Sequence, residues 1–578
     1  MKFRIHGILE SFAHGESFEV MIPEKDNFGH YSTNLAMRIA QRETSGKRQE
    51  TSKRGVIELA KELVAKISVK APKGMFEKVE VAGPGFINFW LSKEFLQKEL
   101  GDVYENRNRY GKNDIGRSKT WVIEYSSPNI AKPLGIHHIR TTIIGQTLVN
   151  ILRFVGYKII SLSFPGDWGT QFGLLIAGYK KWGDSKKMKK DPMGEMLRLY
   201  VKFSAAAKED PKLLDEGREE FRKLEEGNKE NLKLWKWFSD ESLKDFERVY
   251  KLLDVQIENT IGESFYEREL GGLVQDALRR KIAKKGEDGS VTLMIPGSET
   301  PEIIQKSDGA TIYTTRELAA IRHRFEKWKA DKILYVAANQ QTFHLSQVFR
   351  SAELLGYARP GQLAHVKFGM VLAPGGKKFA TREGKLVPME EVISKVIDLA
   401  YKKVSDKNPD LSEENKRAVA RVVGVGALKY YDLKENRNSD IVFDWERMLD
   451  LRGNSAPYLQ YTYARLASIL QKSRLQTVKG KSKVSFGLLD KKEELDLIRK
   501  ILEFPDVVLE AHESLLTSNF CNYLYELCNL ANRFYEATPV IKESNLTLRG
   551  ARLKLVEMTN QVLGKGLGLL GIKVLDKI

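Results

Sequence analysis

Between Trp121 and Gly173 the chain alternates short unbroken apolar runs with apolar residues at helical spacing. Trp121–Tyr125 reads as a buried strand, and the turn-forming Ser126–Asn129 ends it. Ile139, Ile143, Ile144, Thr147, Leu148, Ile151, Leu152 and Val155 then share one helical face until Gly156 stops the helix, and Lys158–Phe164 reads as a second strand. Strand, helix, strand of this length is a βαβ unit, with parallel strands joined by a right-handed crossover. Lys332–Val336 and His365–Gly369 read as further strands of the same sheet, with a short helix over Gln347–Leu355 between them. The pattern therefore predicts an α/β, doubly wound, Rossmann-like parallel-sheet domain with its ligands at the carboxyl ends of the strands.

Around this core the pattern changes. Residues 1–116 read as an α+β N-terminal domain, with helical spacing over Tyr31–Ala40 and a strand, turn and strand over Glu80–Leu91. Gly83-Pro84-Gly85 reads as a hairpin turn, and Asn106–Ser118 as a polar connector. The catalytic-type domain spans 117–454, with a helical insertion at about 180–253 whose charge runs suit solvated helix faces. Turns over Gly262–Tyr266 and Lys306–Gly309, a strand over Ser290–Ile295 and helices over Met389–Val404 and Glu413–Tyr431 follow. From 455 to 578 long amphipathic helices, broken near Gly480, Gly487 and Pro505, predict an all-α bundle.

Composition narrows the function. A chain of 578 residues exceeds one ordinary core, and a net charge of +18 favours a polyanionic partner. No apolar run is long enough to span a membrane, and the N-terminus lacks a signal-peptide pattern. Two cysteines, Cys521 and Cys528, support neither a disulfide framework nor a zinc site. The expectation is a cytoplasmic protein that needs no membrane and no zinc.

The candidate chemistry lies in two loops. The one feeding the Ile139 helix carries Lys132, His137, His138 and Arg140, and a helix N-terminus with cations nearby suits phosphate. The other, Pro374–Gly384, is basic and bounded by glycines. SSPNIAKPLG-x-x-H-x-R-x-TIIG followed by FPGDWGTQFG resembles the first half of the catalytic domain of class I arginyl-tRNA synthetases. FGHYSTNLAM and VEVAGPGFINFWLS resemble that family's N-terminal domain, which contacts the tRNA elbow, and the segments 425–431, 436–444 and 454–465 resemble its junction into an anticodon-binding bundle.

The resemblance implies arginine–tRNA ligase activity using ATP with Mg2+, L-arginine and tRNA(Arg), in a monomer without an editing domain. His138 aligns with the second histidine of the His-x-Gly-His signature, while Gly135 stands where the first would be and His137 where the glycine would be. Lys132 is implied as a compensating phosphate cation, because the KMSKS-like loop (377–384) has Lys378 but Thr381 at the second lysine position, followed by Arg382. Met370 would offer backbone groups to the adenine, and His344 would line the nucleotide side or pack in the core. Tyr313 and Glu317 match the family's Tyr-x-Thr-x-Asp run, with glutamate for the usual aspartate. Asn129 would hold the α-amino group, Gln341 the guanidinium side, and Glu124 would aim a second carboxylate at the pocket. Tyr458 and Tyr461, with Arg465, would either stack on tRNA bases or pack in the core. Two alternatives stay open: a catalytically impaired tRNA-binding relative, suggested by the Gly135/His137 exchange, and a class I ligase for another amino acid.

Overall fold

The computed structural model describes residues 1–45, 55–297, 300–377, 387–475 and 485–578. The first unit comprises α1 (Lys2–Glu10), β1 (Val20–Met21), β2 (Tyr31–Thr33), α2 (Leu35–Ser45), α3 (Val56–Lys70), β3 (Phe76–Ala82), β4 (Phe86–Leu91) and α4 (Lys93–Glu105). Its strands form an antiparallel sheet in the order β1-β2-β4-β3. The helix expected over Tyr31–Ala40 begins only at Leu35, because Tyr31, Ser32 and Thr33 are buried and pair with Phe89, Asn88 and Ile87. The hairpin expected at Gly83–Gly85 joins β3 to β4. Residues 106–118 are not a loose tether: Lys565, far along the chain, donates to the Arg107 carbonyl at 2.6 Å, and Tyr110 Oη donates to the Ile501 carbonyl at 2.8 Å.

The second unit opens with β5 (Thr120–Glu124), α5 (Ile139–Phe154), β6 (Lys158–Ser163) and α6 (Thr170–Trp182). The insertion is α7 (Ser185–Lys190), α8 (Pro192–Glu209), α9 (Lys212–Glu225) and α10 (Lys229–Leu252), packed over its own apolar cluster around Phe172, Met196 and Phe238. Then come β7 (Asn259–Thr260), α11 (Glu267–Arg279), β8 (Ala283–Lys285), β9 (Val291–Leu293), β10 (Glu302–Gln305), α12 (Tyr313–Trp328), β11 (Lys332–Ala338), α13 (Thr342–Leu354), β12 (Leu363–Phe368) and β13 (Val371–Leu372). Five strands form a wholly parallel sheet in the order β12-β11-β5-β6-β7. Chain order reverses between β5 and β11, so the crevice at their carboxyl ends is where a ligand belongs. The strand at Val291 belongs to a separate antiparallel sheet, β10-β9-β8. Gly145 lets α5 lie directly on the sheet, since a Cβ there would collide with the Tyr125 ring.

The remainder is α14 (Met389–Lys407), α15 (Glu413–Leu433), β14 (Ile441–Val442), α16 (Trp445–Met448), α17 (Ala456–Leu475), α18 (Lys492–Leu502), α19 (Phe504–Ser514), α20 (Ser518–Ala537) and α21 (Leu546–Leu569). One continuous apolar core runs from the N-terminal sheet through α5, α14 and α15 into this bundle. Polar ties reinforce it. Asp506 on α19 accepts from the N-terminal ammonium, and the buried Lys429 on α15 donates to the Gly571 carbonyl at 2.6 Å.

Candidate active site

The loop after β5 is fixed by its small hydroxyl residues. Ser126 is buried in a left-handed conformation (φ +51°), and its N–H donates to Thr141 Oγ1 at 3.0 Å. Thr141 in turn donates to the Val336 carbonyl at 2.7 Å, and Ser163 donates to the Ser126 carbonyl at 2.7 Å. The N-terminus of α5 is thereby set between the ends of β11 and β6. Asn129 bridges to Gly166, and a Cβ at Gly166 would collide with Asn129 Oδ1, so glycine is required at that approach. Gly135 bridges to Pro388, with Ile136 N–H donating to the Val387 carbonyl at 2.9 Å and Met389 N–H to the Leu134 carbonyl at 2.7 Å. The histidine-bearing loop therefore braces the chain leaving the KMSKS-like loop.

His138 caps α5, and its ring lies 3.9 Å from that of His137. His138 Nδ1 is buried with no hydrogen-bond partner among the described residues. Burial, and then His137 beside it, push the His138 imidazole down to about 3, against a backbone bond to Gly135. His138 is therefore neutral at pH 7 and donates through an N–H rather than as a cation. His137 is exposed, and burial of its inner edge lowers it too. Lys132, expected at the phosphates, rests its ammonium 4.3 Å from the centre of the Tyr200 ring on the insertion. Met370 donates its N–H to Asp440 Oδ1 at 2.7 Å and accepts from Ile441 N–H at 2.9 Å. Only the second lone pair of its carbonyl is left for a base, which narrows the sequence expectation. Lys378, Thr381 and Arg382 lie outside the described residues, and of the 377–384 loop only Lys377 falls within them.

Of the residues expected at the amino acid, Tyr313 and Glu317 lie on α12 and Glu124 ends β5. Glu317 is 2% exposed, and its Oε2 meets no hydrogen-bond partner among the described residues. Burial, then the neighbouring Glu124, raise the Glu317 carboxyl to about 8, while Arg324 and a hydrogen bond from Tyr313 pull the other way. Glu124, expected as a free carboxylate in the pocket, instead holds Arg324 Nη1 at 2.6 Å. Burial raises the Glu124 carboxyl, and the Arg324 guanidinium in contact pulls it back toward the ionised form. Arg324 was not foreseen, although it stands seven residues after Glu317 on the same helical face; it also donates to Tyr335 Oη at 2.9 Å.

Tyr313 is 44% exposed at the start of α12, and the His344 ring lies 5.0 Å from it, which brings His344 next to the residue expected at the amino acid. His344 Nε2 is buried and unpartnered among the described residues. Gln341 is exposed where β11 ends. Glu263 is a second residue the sequence reading missed, and an acid. It is buried on the same side of Gly166 as Asn129, and burial, countered by Arg316, raises it to about 7.

On the bundle, the half-buried Tyr458 is held by its hydroxyl, which donates to Asn529 Oδ1 at 2.8 Å and accepts from Asn532 at 3.0 Å. Tyr461 is 51% exposed. Arg465 lies 4.4 Å from the centre of the Tyr535 ring, and with Tyr461 it lines a groove of about 680 Å³ between α14, α15 and α17. Sequence left stacking and packing open for both tyrosines; both line this groove, Tyr458 half-buried and Tyr461 exposed.

Comparison with known proteins bears on all three units. The description "tRNA synthetases class I (R), catalytic domain" matches residues 99–445, "DALR anticodon binding domain" matches 459–578, and "Arginyl tRNA synthetase N terminal domain" matches 4–91. The chain is 37% identical over 563 residues to an arginine–tRNA ligase of Fusobacterium nucleatum, covering 97% of this chain and 95% of that one. It is 39% identical over 517 residues to that of Clostridium perfringens, covering 89% and 90%. Among solved structures it resembles the arginyl-tRNA synthetase of Plasmodium falciparum (TM-score 0.82, 25% identity, 100% of this chain and 98% of that one). The fold of the Thermus thermophilus enzyme matches similarly (TM-score 0.81, 22% identity, 100% and 99%).

Proposed function

The chain belongs to the arginyl-tRNA synthetase family of class I and is an arginine–tRNA ligase, and from that premise we propose how its residues divide the reaction. A carboxylate oxygen of arginine attacks the α-phosphorus of ATP, the bond from that phosphorus to the bridging oxygen breaks, and pyrophosphate leaves. A ribose hydroxyl at the tRNA 3′ end then attacks the arginyl carbonyl and AMP leaves. The protein's share is positioning and charge stabilisation.

Glu317 takes the guanidinium in a bidentate fork, with Tyr313 orienting the carboxylate and Gln341 closing the outer side. Glu124, neutralised by Arg324, forms the pocket wall instead of a second ligand. Asn129, with Glu263 beside it, takes the α-ammonium. His138 donates to the α-phosphate as charge builds, and His137 substitutes for the missing first histidine. Lys132 moves from Tyr200 to the phosphates, joined by Lys378, Thr381 and Arg382. Magnesium bound to ATP would offset the charge of the phosphates that His138 and Lys132 also meet. Residues 1–116 contact the tRNA elbow, 117–454 carry the chemistry, and Tyr461 and Arg465 on 455–578 meet the anticodon. The enzyme works as a cytoplasmic monomer; no helix among the described residues is long and apolar enough to cross a membrane.

The observation that carries this reading is the buried Glu317 carboxyl, whose Oε2 meets no hydrogen-bond partner among the described residues while Arg324 is engaged by Glu124. Charging of tRNA(Arg) with labelled arginine tests it: charging is expected to require arginine, ATP and tRNA together. An arginine KM unmoved by Glu317→Gln would overturn the assignment.

A further inference from the structure

Arg140 stands in the first turn of α5, two residues beyond His138, and is 1% exposed. Its guanidinium ties three segments together. Nε donates to Asp432 Oδ1 at 3.0 Å, near the end of α15. Nη1 donates to the carbonyls of Gly369 and Ser439, each at 2.8 Å. Those two carbonyls belong to chains already zipped side by side: Gly369 N–H donates to the Arg437 carbonyl at 2.9 Å, and Met370 is bonded to Asp440 and Ile441. At Gly369 the two backbones touch, since a Cβ there would come within 2.5 Å of the Ser439 carbonyl. Only a planar fork of fixed N–H directions reaches three such acceptors at once; an ammonium on a flexible stem does not.

The joint is not optimised for stability. Arg140 Nη2 and Asp432 Oδ2 are both buried without a hydrogen-bond partner among the described residues. Orphaned polar atoms of this kind call for an explanation, and apolar residues of similar volume often serve stability as well as a buried ion pair does.

We propose that Arg140 is a positioning residue of the nucleotide site, holding the Gly369–Met370 turn at a set distance from the histidine pair at the start of α5. This rests on the reading above, in which His138 meets the α-phosphate, and on the family resemblance, which implies that Met370 meets the adenine. Adenine and α-phosphate are a fixed distance apart within ATP, so a joint that slips by about 1 Å misplaces one of them and costs up to 10²-fold in rate. The arginine pocket is built from α12 and β5, which Arg140 does not bond, and is insulated from the slip.

The test is steady-state charging by the full-length enzyme, varying ATP and arginine separately. Arg140→Lys, which keeps the buried charge, is expected to raise the ATP KM by roughly 10-fold or more while leaving the arginine KM unchanged. Asp432→Asn, of the same shape, is expected to do the same to a smaller extent and serves if Arg140→Lys does not yield folded protein. A purely structural role would lower kcat through the active fraction and leave both KM values alone, and that result overturns the proposal. If wild type does not charge arginine, the underlying reading fails; if wild type charges and ATP KM does not move in the variant, only this inference fails.

Discussion

Glu317 and Arg324 stand seven residues apart on one face of α12, yet the guanidinium of Arg324 goes to Glu124 and not to Glu317. Glu124 and Glu317 thus share the one guanidinium of Arg324. Arg324 is near enough to Glu317 to favour its ionised form but does not outweigh burial and the Glu124 charge, so the Glu317 carboxyl keeps its proton to about pH 8. A substrate guanidinium supplies the missing charge where a neutral side chain would leave a buried carboxylate unpaired.

That proton gives the first prediction. Arginine pairs with the ionised carboxylate, so its binding expels the proton and its apparent affinity follows the ionised fraction. With the group at about 8, affinity should rise roughly 25-fold between pH 6.5 and 8.5. The sign for stability is the reverse in the free protein. A carboxyl raised in the fold contributes stability that is whole below its unfolded value near 4.5 and lost as pH climbs through about 8. The Tm gain from arginine should therefore be larger at pH 8.5 than at pH 6.5 by thermal melt, and Glu317→Gln should flatten the difference.

His138 is expected to act without titrating. Burial and His137 hold it at about 3, so the pH–rate profile between 5 and 9 should carry no limb that His138→Ala abolishes. The same substitution should slow ATP–pyrophosphate exchange by about 10²- to 10³-fold, the usual loss for one donor to a developing anion, with arginine KM unchanged. His137→Ala is expected to reduce exchange as well if its ring stands in for the absent first histidine; unaltered exchange would return that role to His138 alone.

The two bundle tyrosines should separate in a tRNA-binding titration. Tyr461→Ala removes an exposed ring and is expected to weaken tRNA(Arg) binding by about 1–3 kcal/mol, the value of one base stacked on an aromatic. Tyr458→Phe deletes a hydroxyl bonded to Asn529 and Asn532, so it should lower the Tm while leaving tRNA affinity in place. Binding by either protein should fall steeply with salt.

Much of this was legible from residue pattern. The parallel sheet follows from unbroken apolar runs separated by helical spacing, since a strand covered on both faces has no polar side to show. The Tyr313/Glu317 pair is readable through its resemblance to the family's Tyr-x-Thr-x-Asp run; spacing adds only that positions four apart share a helical face. What escaped depends on contacts distant in sequence. Tyr31–Thr33 carries a helix-like pattern and becomes a strand because β4 offers it partners. Glu124 looks like a free pocket acid until Arg324, two hundred residues later, is seen to neutralise it. The resting contact of Lys132 with Tyr200, on an insertion whose packing no local pattern reveals, was not legible either. The connector at 106–118 is polar in composition, yet Lys565 and the Ile501 carbonyl fasten it to the bundle.

The most direct test of the missing-cation pocket compares arginine with its neutral isostere citrulline in the charging reaction, for wild type and Glu317→Gln. Breaking one partner from a buried charge pair costs about 2–5 kcal/mol, so the wild-type preference for arginine in kcat/KM should collapse by roughly 10²-fold or more, mostly through arginine KM. Glu317→Asp, which keeps the charge, should retain most of the preference. An arginine-to-citrulline ratio that stays the same in Glu317→Gln would show that the guanidinium is read elsewhere, and the account would be contradicted.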